Sequence, residues 1–342
     1  MPKPSSKPLT IARLNDAILG CFSRAQPSET VDHLVRFLGT WSGSDKLFML
    51  IQYSVKLLVP ILHLRARLQH RAGLRKSPMS GAAEGYAKLS SLLGDSRTLW
   101  RIWGLLPIFQ WLISIERNPQ PTRNLLTIER LQGWSMLLYY PLEHLSYLIG
   151  HGIIPASFSL ASLPLVSLLA PSSLKSRTLS LNANKLGIWS CRFWALYVLL
   201  QFLHLREDKQ LLIQKHRNLK KGKALGPNEK WELGRRWDAW WSEVVVNVGY
   251  APLTVHWSLE QGIFKNDVWV GIFGLVAAVA SFRAGWKATA LPPAPSASAV
   301  PSSSAASSNA PSYAAAAARA VDGEEDKEKT AQEKVGAYDV SA

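Results

Sequence analysis

The stretch that decides the fold is NDVWVGIFGLVAAVASFRAGWK, residues 266–287. It holds fifteen uncharged residues, Val268–Phe282, which rise about 22 Å as a helix. That length is short of the roughly 30 Å hydrocarbon core of a bilayer, but the segment approaches it if it continues to Trp286 with the Arg283 side chain snorkelling to the interface. A buried helix of a soluble protein gives an equally common run of fifteen, so the rest of the chain must decide between the two.

Small side chains recur at four-residue spacing along this segment. Gly274 aligns with Ala278, and Ala277 aligns with Ser281. Such spacing lets two helix backbones approach closely in lipid. The residues of the predicted helix-packing and oligomerisation face are Gly271, Gly274, Ala278, Ser281 and Gly285. On this hypothesis Gly274→Leu impairs self-association more than membrane retention.

Charge divides the chain into a basic body and an acidic tail. The 342 residues carry 39 Lys and Arg against 24 Asp and Glu, a net charge of +15. Residues 288–342 hold four basic and seven acidic groups in Ala-, Ser- and Pro-rich sequence, which predicts a disordered tail. Residues 1–27 are predicted to be a flexible N-terminus. Residues 1–287 hold the other 35 basic and 17 acidic groups and all fourteen Trp.

The basic, Trp-rich body indicates an anionic surface as its partner. Phospholipid is favoured, because the cations alternate with long apolar runs and Trp belongs at the membrane interface. No nucleic-acid partner is expected, since the sequence lacks zinc-finger, ribonucleoprotein and helix-turn-helix patterns. The two cysteines, Cys21 and Cys191, are far apart in unlike surroundings, so no disulfide framework is expected.

Residues 28–115 form the predicted N-terminal helical region. A first helix ends at a break over residues 39–43, and a second starts near Ser44 and runs to Pro60. Residues 61–76 are predicted as a basic interfacial helix, with the solvated face of a soluble helix as the alternative. The membrane-binding residues predicted in this part are Arg65, Arg67 and Arg71.

Lys88–Leu106 is the cleanest amphipathic segment. At 100° per residue its Leu and Trp side chains gather on one side of a helix, and its Arg and Ser side chains gather on the other. Leu and Trp opposite Arg is the composition of a helix lying in the plane of a bilayer, and an ordinary core-facing helix is the commoner alternative. The membrane-binding residues predicted here are Arg97, Leu99, Trp100, Arg101 and Trp103.

Residues 116–287 form the predicted membrane-associated helical region, which opens with a polar turn over residues 116–123. Residues 134–154 and 187–205 are candidate membrane segments, whereas the prolines in 153–170 predict a broken or re-entrant stretch. Residues 206–236 are predicted as a basic loop, which is either solvated or bound to anionic headgroups. Four Trp between residues 231 and 241 predict an interfacial anchor.

The sequence offers no pattern for catalysis. It contains no glycine-rich phosphate loop, no His-Glu-x-x-His and no nucleophile elbow, so we expect no enzyme, no cofactor and no metal site. Glu143 with His144 and His151 is open to two interpretations. A polar cluster satisfied between helices is favoured over a proton relay or a metal site.

Three passages carry a resemblance to a known family. They are SDKLF-x3-QYS-x-KL at residues 44–57, LS-x4-DSR-x-L-x-RIWGL at 89–105, and W-x-G-x2-G at 269–274 followed by Trp286. Together they resemble the peroxin 11 family of peroxisome-proliferating membrane proteins, in its fungal C-type branch. Ser44 and Met49 stand where the family usually has basic residues, and residues 155–230 match no motif of the family.

The resemblance implies an all-α protein of the peroxisomal membrane, integral or peripheral, with amphipathic helices, a C-terminal membrane segment and a disordered tail. It implies a function in peroxisome proliferation, in which the membrane is elongated and remodelled before fission. It further implies a homo-oligomer and contact with a dynamin-type GTPase and its adaptor. The alternative is a channel or transporter for small solutes, motivated by Glu143, Arg192 and the proline-broken segments. A soluble helical scaffold is the third possibility.

Overall fold

Helices make up nearly all the regular structure in the computed structural model, which describes residues 11, 15, 18–20, 26–159, 178–222 and 227–291. In chain order they are α1 (Glu29–Leu38), α2 (Trp41–Arg71), α3 (Gly81–Trp100), α4 (Leu105–Arg117), α5 (Arg123–Gly150), α6 (Ala183–Gly222), α7 (Pro227–Trp257) and α8 (Asp267–Ala288). A 3₁₀ turn at Arg101–Gly104 joins α3 to α4. The three-residue strands β1 (Ser157–Ser159) and β2 (Thr178–Ser180) pair antiparallel before α6. The predicted all-α class is confirmed.

Polar side chains cap the starts of several helices. The Thr40 hydroxyl accepts a hydrogen bond of 3.0 Å from Gly43 N, so α2 begins at Trp41 rather than at the predicted Ser44. Thr122 caps α5 in the same way, immediately after the predicted polar turn. The Asn266 side chain accepts from Val268 N at 3.0 Å and starts α8. Each cap satisfies a backbone N–H that has no partner within its own helix.

Three helices continue through a proline. Pro60 lies inside α2, Pro141 inside α5 and Pro252 inside α7. The prediction that a helix ends at Pro60 is therefore wrong. In soluble helices an internal proline is costly, but membrane helices tolerate it because neighbouring groups satisfy the freed carbonyls.

The predicted basic loop over residues 206–236 is also helical wherever the structure describes it. Residues 206–222 continue α6, and residues 227–236 open α7. Lys, Arg, Leu, Gln and Glu dominate this segment, and all of them are good helix formers. The N-terminus predicted to be flexible and the tail predicted to be disordered lie almost wholly outside the described residues, as does the predicted re-entrant stretch beyond residue 159.

The helices pack in a continuous series, α3 on α2, α2 on α8, α8 on α7, α7 on α6, α6 on α5 and α5 on α4. Met49, Ile108, Met136 and Leu253 are among the fully buried side chains at their centre. Helices α2 and α8 run antiparallel, because Gly285 lies beside Lys46 whereas Gly271 lies beside Leu57.

In the described part of the chain, four helical segments are long and apolar enough to cross a membrane, namely Trp41–Arg71, Gly81–Arg117, Ala183–Asn218 and Asp267–Ala288. At 22 residues α8 is about 33 Å long, which reaches the thickness of a hydrocarbon core. Large apolar side chains are exposed along the outer faces of these segments, while ion pairs lie inside. This distribution is the reverse of the one found in soluble proteins and fits a lipid solvent.

Candidate membrane-facing surface and its buried polar partners

An exposed apolar strip follows α3, the 3₁₀ turn and α4. The outer strip consists of Leu89, Leu92, Leu99, Trp100, Ile102, Trp103, Leu106, Phe109 and Ile113, all exposed. Leu92 is 66% and Leu106 61% exposed, values that are unusual for leucine on a packed helix. A contiguous apolar surface of this kind marks a site of contact with lipid or with another protein.

Arg97, predicted to bind headgroups, instead lies inside the protein. Its Nε donates to Asp45 Oδ1 at 2.7 Å, its Nη2 to Asp45 Oδ2 at 3.0 Å and its Nη1 to Gln52 Oε1 at 3.0 Å. Arg97 is 6% and Asp45 4% exposed. This bidentate pair joins α3 to α2, and it leaves the guanidinium no access to lipid.

Arg101 is occupied in the same manner on the other side. Its Nη1 donates to Glu143 Oε1 at 2.5 Å and to the Tyr139 hydroxyl at 2.8 Å. The Tyr139 hydroxyl in turn donates to Glu143 Oε1 at 2.7 Å. The predicted membrane-binding role of Arg101 is therefore also corrected, since its cation ties the 3₁₀ turn to α5.

The two arginines explain why α3 is amphipathic. Its polar side faces α2 and α5, where Asp45 and Glu143 neutralise the charges, and its apolar side faces outward as the outer strip. The sequence pattern placed Leu99, Trp100 and Trp103 opposite the two arginines, as the structure does, but it grouped Ile102 with the polar side, and Ile102 is exposed in the outer strip. The pattern also gave the wrong partner to the arginines. Leu99, Trp100 and Trp103 remain available for membrane contact.

A further polar cluster, not predicted from the sequence, joins α5 to α6. His204 Nε2 lies 3.0 Å from Glu129 Oε1, and Gln120 Nε2 donates to Glu129 Oε2 at 2.9 Å. One turn away, Gln132 Nε2 donates to Gln201 Oε1 at 2.5 Å. The sequence feature that could have indicated this cluster is the presence of isolated polar residues within the apolar runs of both helices, because such residues must find partners inside a bundle.

The charges that motivated a solute channel are accounted for by packing. Glu143 belongs to the pair with Arg101, and Arg192 stacks 4.7 Å from the Trp189 ring and donates to the Ser258 carbonyl at 3.3 Å. His144 and His151 each contact a carbonyl of their own helix rather than one another. Among the described residues, no three His, Cys, Asp or Glu side chains form a group that could hold a metal ion.

The predicted cations Arg65, Arg67 and Arg71 lie on the exposed part of α2, beyond its contact with α8. An open groove of about 890 Å³ separates this part of α2 from α3 and from the start of α8. Asp95 and Arg67 are among the groove's polar lining residues. These arginines are therefore available to headgroups, unlike Arg97 and Arg101.

The small residues of α8 pack within the chain. A β-carbon at Gly274 would lie 2.3 Å from the Tyr53 ring, and one at Gly271 would lie 2.7 Å from Leu57 Cδ2. Ala278 and Ser281 are buried as well, and Gly285 lies against Phe37. The spacing correctly indicated a close approach of two helices, and for Gly271 and Gly274 the partner is α2 of the same chain. The predicted oligomer contact is therefore not supported at Gly271 and Gly274, whose space is filled by Leu57 and Tyr53 of α2.

Comparison with known proteins gives a consistent set of relatives. Residues 31–161 match the family described as Peroxisomal biogenesis factor 11 (PEX11). A Peroxisomal membrane protein 11 homolog of Dictyostelium discoideum is 27% identical over 128 residues, 37% of this chain and 44% of that protein. An uncharacterized protein of Schizosaccharomyces pombe is 22% identical over 202 residues, 59% of this chain and 77% of that protein. The chain thus spans less than half of the Dictyostelium relative, and no solved structure shows significant similarity to it.

Proposed function

We propose that this chain, whose residues 31–161 match the peroxisomal biogenesis factor 11 family, is a peroxisomal membrane protein of that family and promotes peroxisome proliferation by remodelling the membrane. The observation that carries the proposal is the outer strip. Its apolar side chains face outward because Arg97 of α3 and Arg101 of the 3₁₀ turn are held inward by Asp45 and Glu143.

The outer strip acts as a wedge. Burying one Leu or Trp side chain contributes about 1.5–3 kcal/mol, so a few inserted side chains suffice to hold the outer strip in one leaflet. Insertion into one leaflet expands that leaflet relative to the other, and the bilayer curves in response. The curved membrane elongates into the tubule on which fission acts.

Electrostatic attraction in this mechanism comes from α2 rather than from α3. Arg65, Arg67 and Arg71 are exposed, and each contributes about 1 kcal/mol beside anionic lipid. Self-association and contact with a dynamin-type GTPase and its adaptor complete the proposal. Because the small residues of α8 are used inside the chain, the self-contact belongs to an exposed surface.

The outer strip can be tested by making it polar. We expect Leu92→Gln/Trp103→Gln/Leu106→Gln to abolish tubulation of liposomes by the full-length protein and to leave cells with fewer, enlarged peroxisomes. Each change removes buried apolar area on insertion without touching the ion pairs. Electron microscopy of the liposomes and counts of labelled peroxisomes give the two readouts.

Ile263→Gln is the matched control, because Ile263 is 48% exposed in the loop between α7 and α8, away from the outer strip. Tubulation should persist in this variant. Normal tubulation by the triple variant, with membrane retention and melting temperature unchanged, would refute the wedge.

The three exposed arginines of α2 give a second test. Arg65→Gln/Arg67→Gln/Arg71→Gln should weaken binding to anionic liposomes by roughly two orders of magnitude, since about 1 kcal/mol is lost per cation, and leave binding to neutral liposomes unchanged. Flotation assays at low and high salt measure both. Lys265→Gln, an exposed cation of the α7–α8 loop, is the control. An equal loss on neutral liposomes would show damage to the fold instead of a lost headgroup contact.

A further inference from the structure

Seven tryptophans fall into two tiers across the helices that pack in the order α2, α8, α7, α6. The first tier consists of Trp41, Trp240, Trp241 and Trp286, and the second of Trp189, Trp257 and Trp269. The repeat of a single helix cannot produce these tiers, because each helix contributes at most two tryptophans to a tier. It follows from how the helices are aligned.

Contacts between neighbouring helices fix the first tier. Lys287 pairs with Asp238, which sets the end of α8 beside the Trp240 turn of α7. Trp240 Nε1 donates to the Leu205 carbonyl at 2.9 Å and aligns α7 with α6. On the other flank of α8, Gly285 lies beside Lys46, near the Trp41 end of α2. The first-tier tryptophans therefore share one level.

The second tier is fixed in the same way. Gly249 packs on the backbone of Ala277, and the antiparallel register then carries Trp257 of α7 to the level of Trp269. Arg192, whose guanidinium covers the Trp189 ring, donates to the carbonyl of Ser258 and brings α6 to this level. On α8 the tiers are 17 residues apart, from Trp269 to Trp286, or about 26 Å.

The surface between the tiers is apolar. On these four helices the exposed residues there are Ile51, Ser54, Leu58, Arg192, Leu196, Leu199, Leu203, Val245, Val248, Val255, Ile272, Val276, Val279 and Arg283. Eleven of the fourteen are aliphatic. Arg192 and Arg283 each lie three residues from a tier tryptophan, within snorkelling reach of the interface. Tryptophan belongs at membrane–water interfaces, and 26 Å is close to the thickness of a hydrocarbon core.

We propose that the two tiers are the interfacial belts of one bilayer and that lipid acyl chains cover the band between them. This placement puts the described residues 206–222 and 227–236 outside the hydrocarbon on the first-tier side, together with α1 and residues 289–291, which follow α8. The turn between α2 and α3, residues 72–80, lies outside on the opposite side. The inference concerns placement alone and does not rest on membrane remodelling.

Charge agrees with this placement. Residues 206–236 hold ten Lys and Arg against four Asp and Glu, and residues 65–76 hold five Lys and Arg and no acidic residue. Both segments lie beyond a tier, where water and headgroups solvate their charges. Neither could enter the band without a large desolvation penalty.

Cysteine labelling on intact, isolated peroxisomes tests the placement. Single cysteines replace Gln214, Ala290, Ser77 and Val279 in full-length protein carrying Cys21→Ser and Cys191→Ser, and a membrane-impermeant maleimide is added before or after permeabilisation. All four positions are exposed on the protein. Cysteines at 214 and 290 should both be labelled before permeabilisation, or both only after it, and the cysteine at 77 should show the opposite behaviour. The cysteine at 279 should remain unlabelled until detergent removes the lipid.

Equal labelling of residues 77 and 214 in intact organelles would overturn the proposal, as would labelling of residue 279 by the aqueous reagent. Lys76→Cys and Arg217→Cys form a second pair at the same two levels, for use if either first variant fails to remain in the membrane after alkaline extraction. Altered peroxisome number with unchanged labelling would bear on remodelling alone.

Discussion

Arg97→Ala is expected to lower the free energy of unfolding by about 3–5 kcal/mol, because it leaves the Asp45 carboxylate buried without its counter-charge. Three hydrogen bonds from the guanidinium are lost together, two to Asp45 and one to Gln52. Unfolding by sodium dodecyl sulfate titration in mixed micelles measures the change. Because the pair joins α3 to α2, the outer strip should lose its fixed orientation in the same variant.

Two further variants distinguish a structural role of the Asp45–Arg97 ion pair from a role of Arg97 in lipid binding. Asp45→Leu/Arg97→Leu should recover most of the lost stability, since an apolar pair of similar volume can replace a buried ion pair at little cost. Arg67→Ala, an exposed arginine on α2, should change stability by less than about 0.5 kcal/mol. Wild-type stability in Arg97→Ala, combined with lost binding to anionic liposomes, would return Arg97 to the headgroup role predicted from the sequence.

The arginines show where a helical wheel stops being informative. Periodicity assigned Leu99 and Trp103 to one side of α3 and Arg97 to the other, and the structure agrees with that division. A wheel cannot say which side meets protein, because in lipid both an inward polar side and an inward apolar side are stable. The deciding partners, Asp45 and Glu143, lie 52 and 42 residues away in the sequence.

Two local sequence signals, an internal proline and a dense run of cations, led to wrong predictions of secondary structure. A proline at residue 60 predicted a helix end, and a dense run of cations over 206–236 predicted a loop. Both segments are helical in their described residues, since a bundle satisfies the carbonyls freed by proline and since basic residues are good helix formers. The breaks at residues 39–40 and 118–122 were predictable because polar caps and short polar sequence act without tertiary partners.

The buried pairs between α5 and α6 were not predicted at all. Glu129 and His204 are separated by 75 residues, and Gln132 and Gln201 by 69. Each is an isolated polar residue in an apolar helix, so the sequence shows that a partner must exist without showing which one. The spacing of small residues in α8 has the same ambiguity as a buried charge, because it shows that a packing partner exists without identifying that partner.

Gly274→Leu is expected to destabilise the folded chain by about 3 kcal/mol or more, because the new side chain would occupy the space of the Tyr53 ring. A β-carbon there already lies 2.3 Å from two ring atoms, before the rest of the leucine is added. Thermal unfolding in detergent should show the loss at any protein concentration, since α2 and α8 belong to one chain.

Tyr53→Ala/Gly274→Leu supplies the decisive control, because removing the ring creates the space that leucine fills and should restore part of the stability. Gly85→Ala meets no atom within 4 Å and should be neutral or slightly stabilising. A loss that appears only on dilution, with no rescue by Tyr53→Ala, would place Gly274 between two copies of the chain. If the loss of stability does not depend on protein concentration and Tyr53→Ala restores part of it, then α8 packs on α2 of its own chain. Self-association must then use a surface that the bundle leaves exposed.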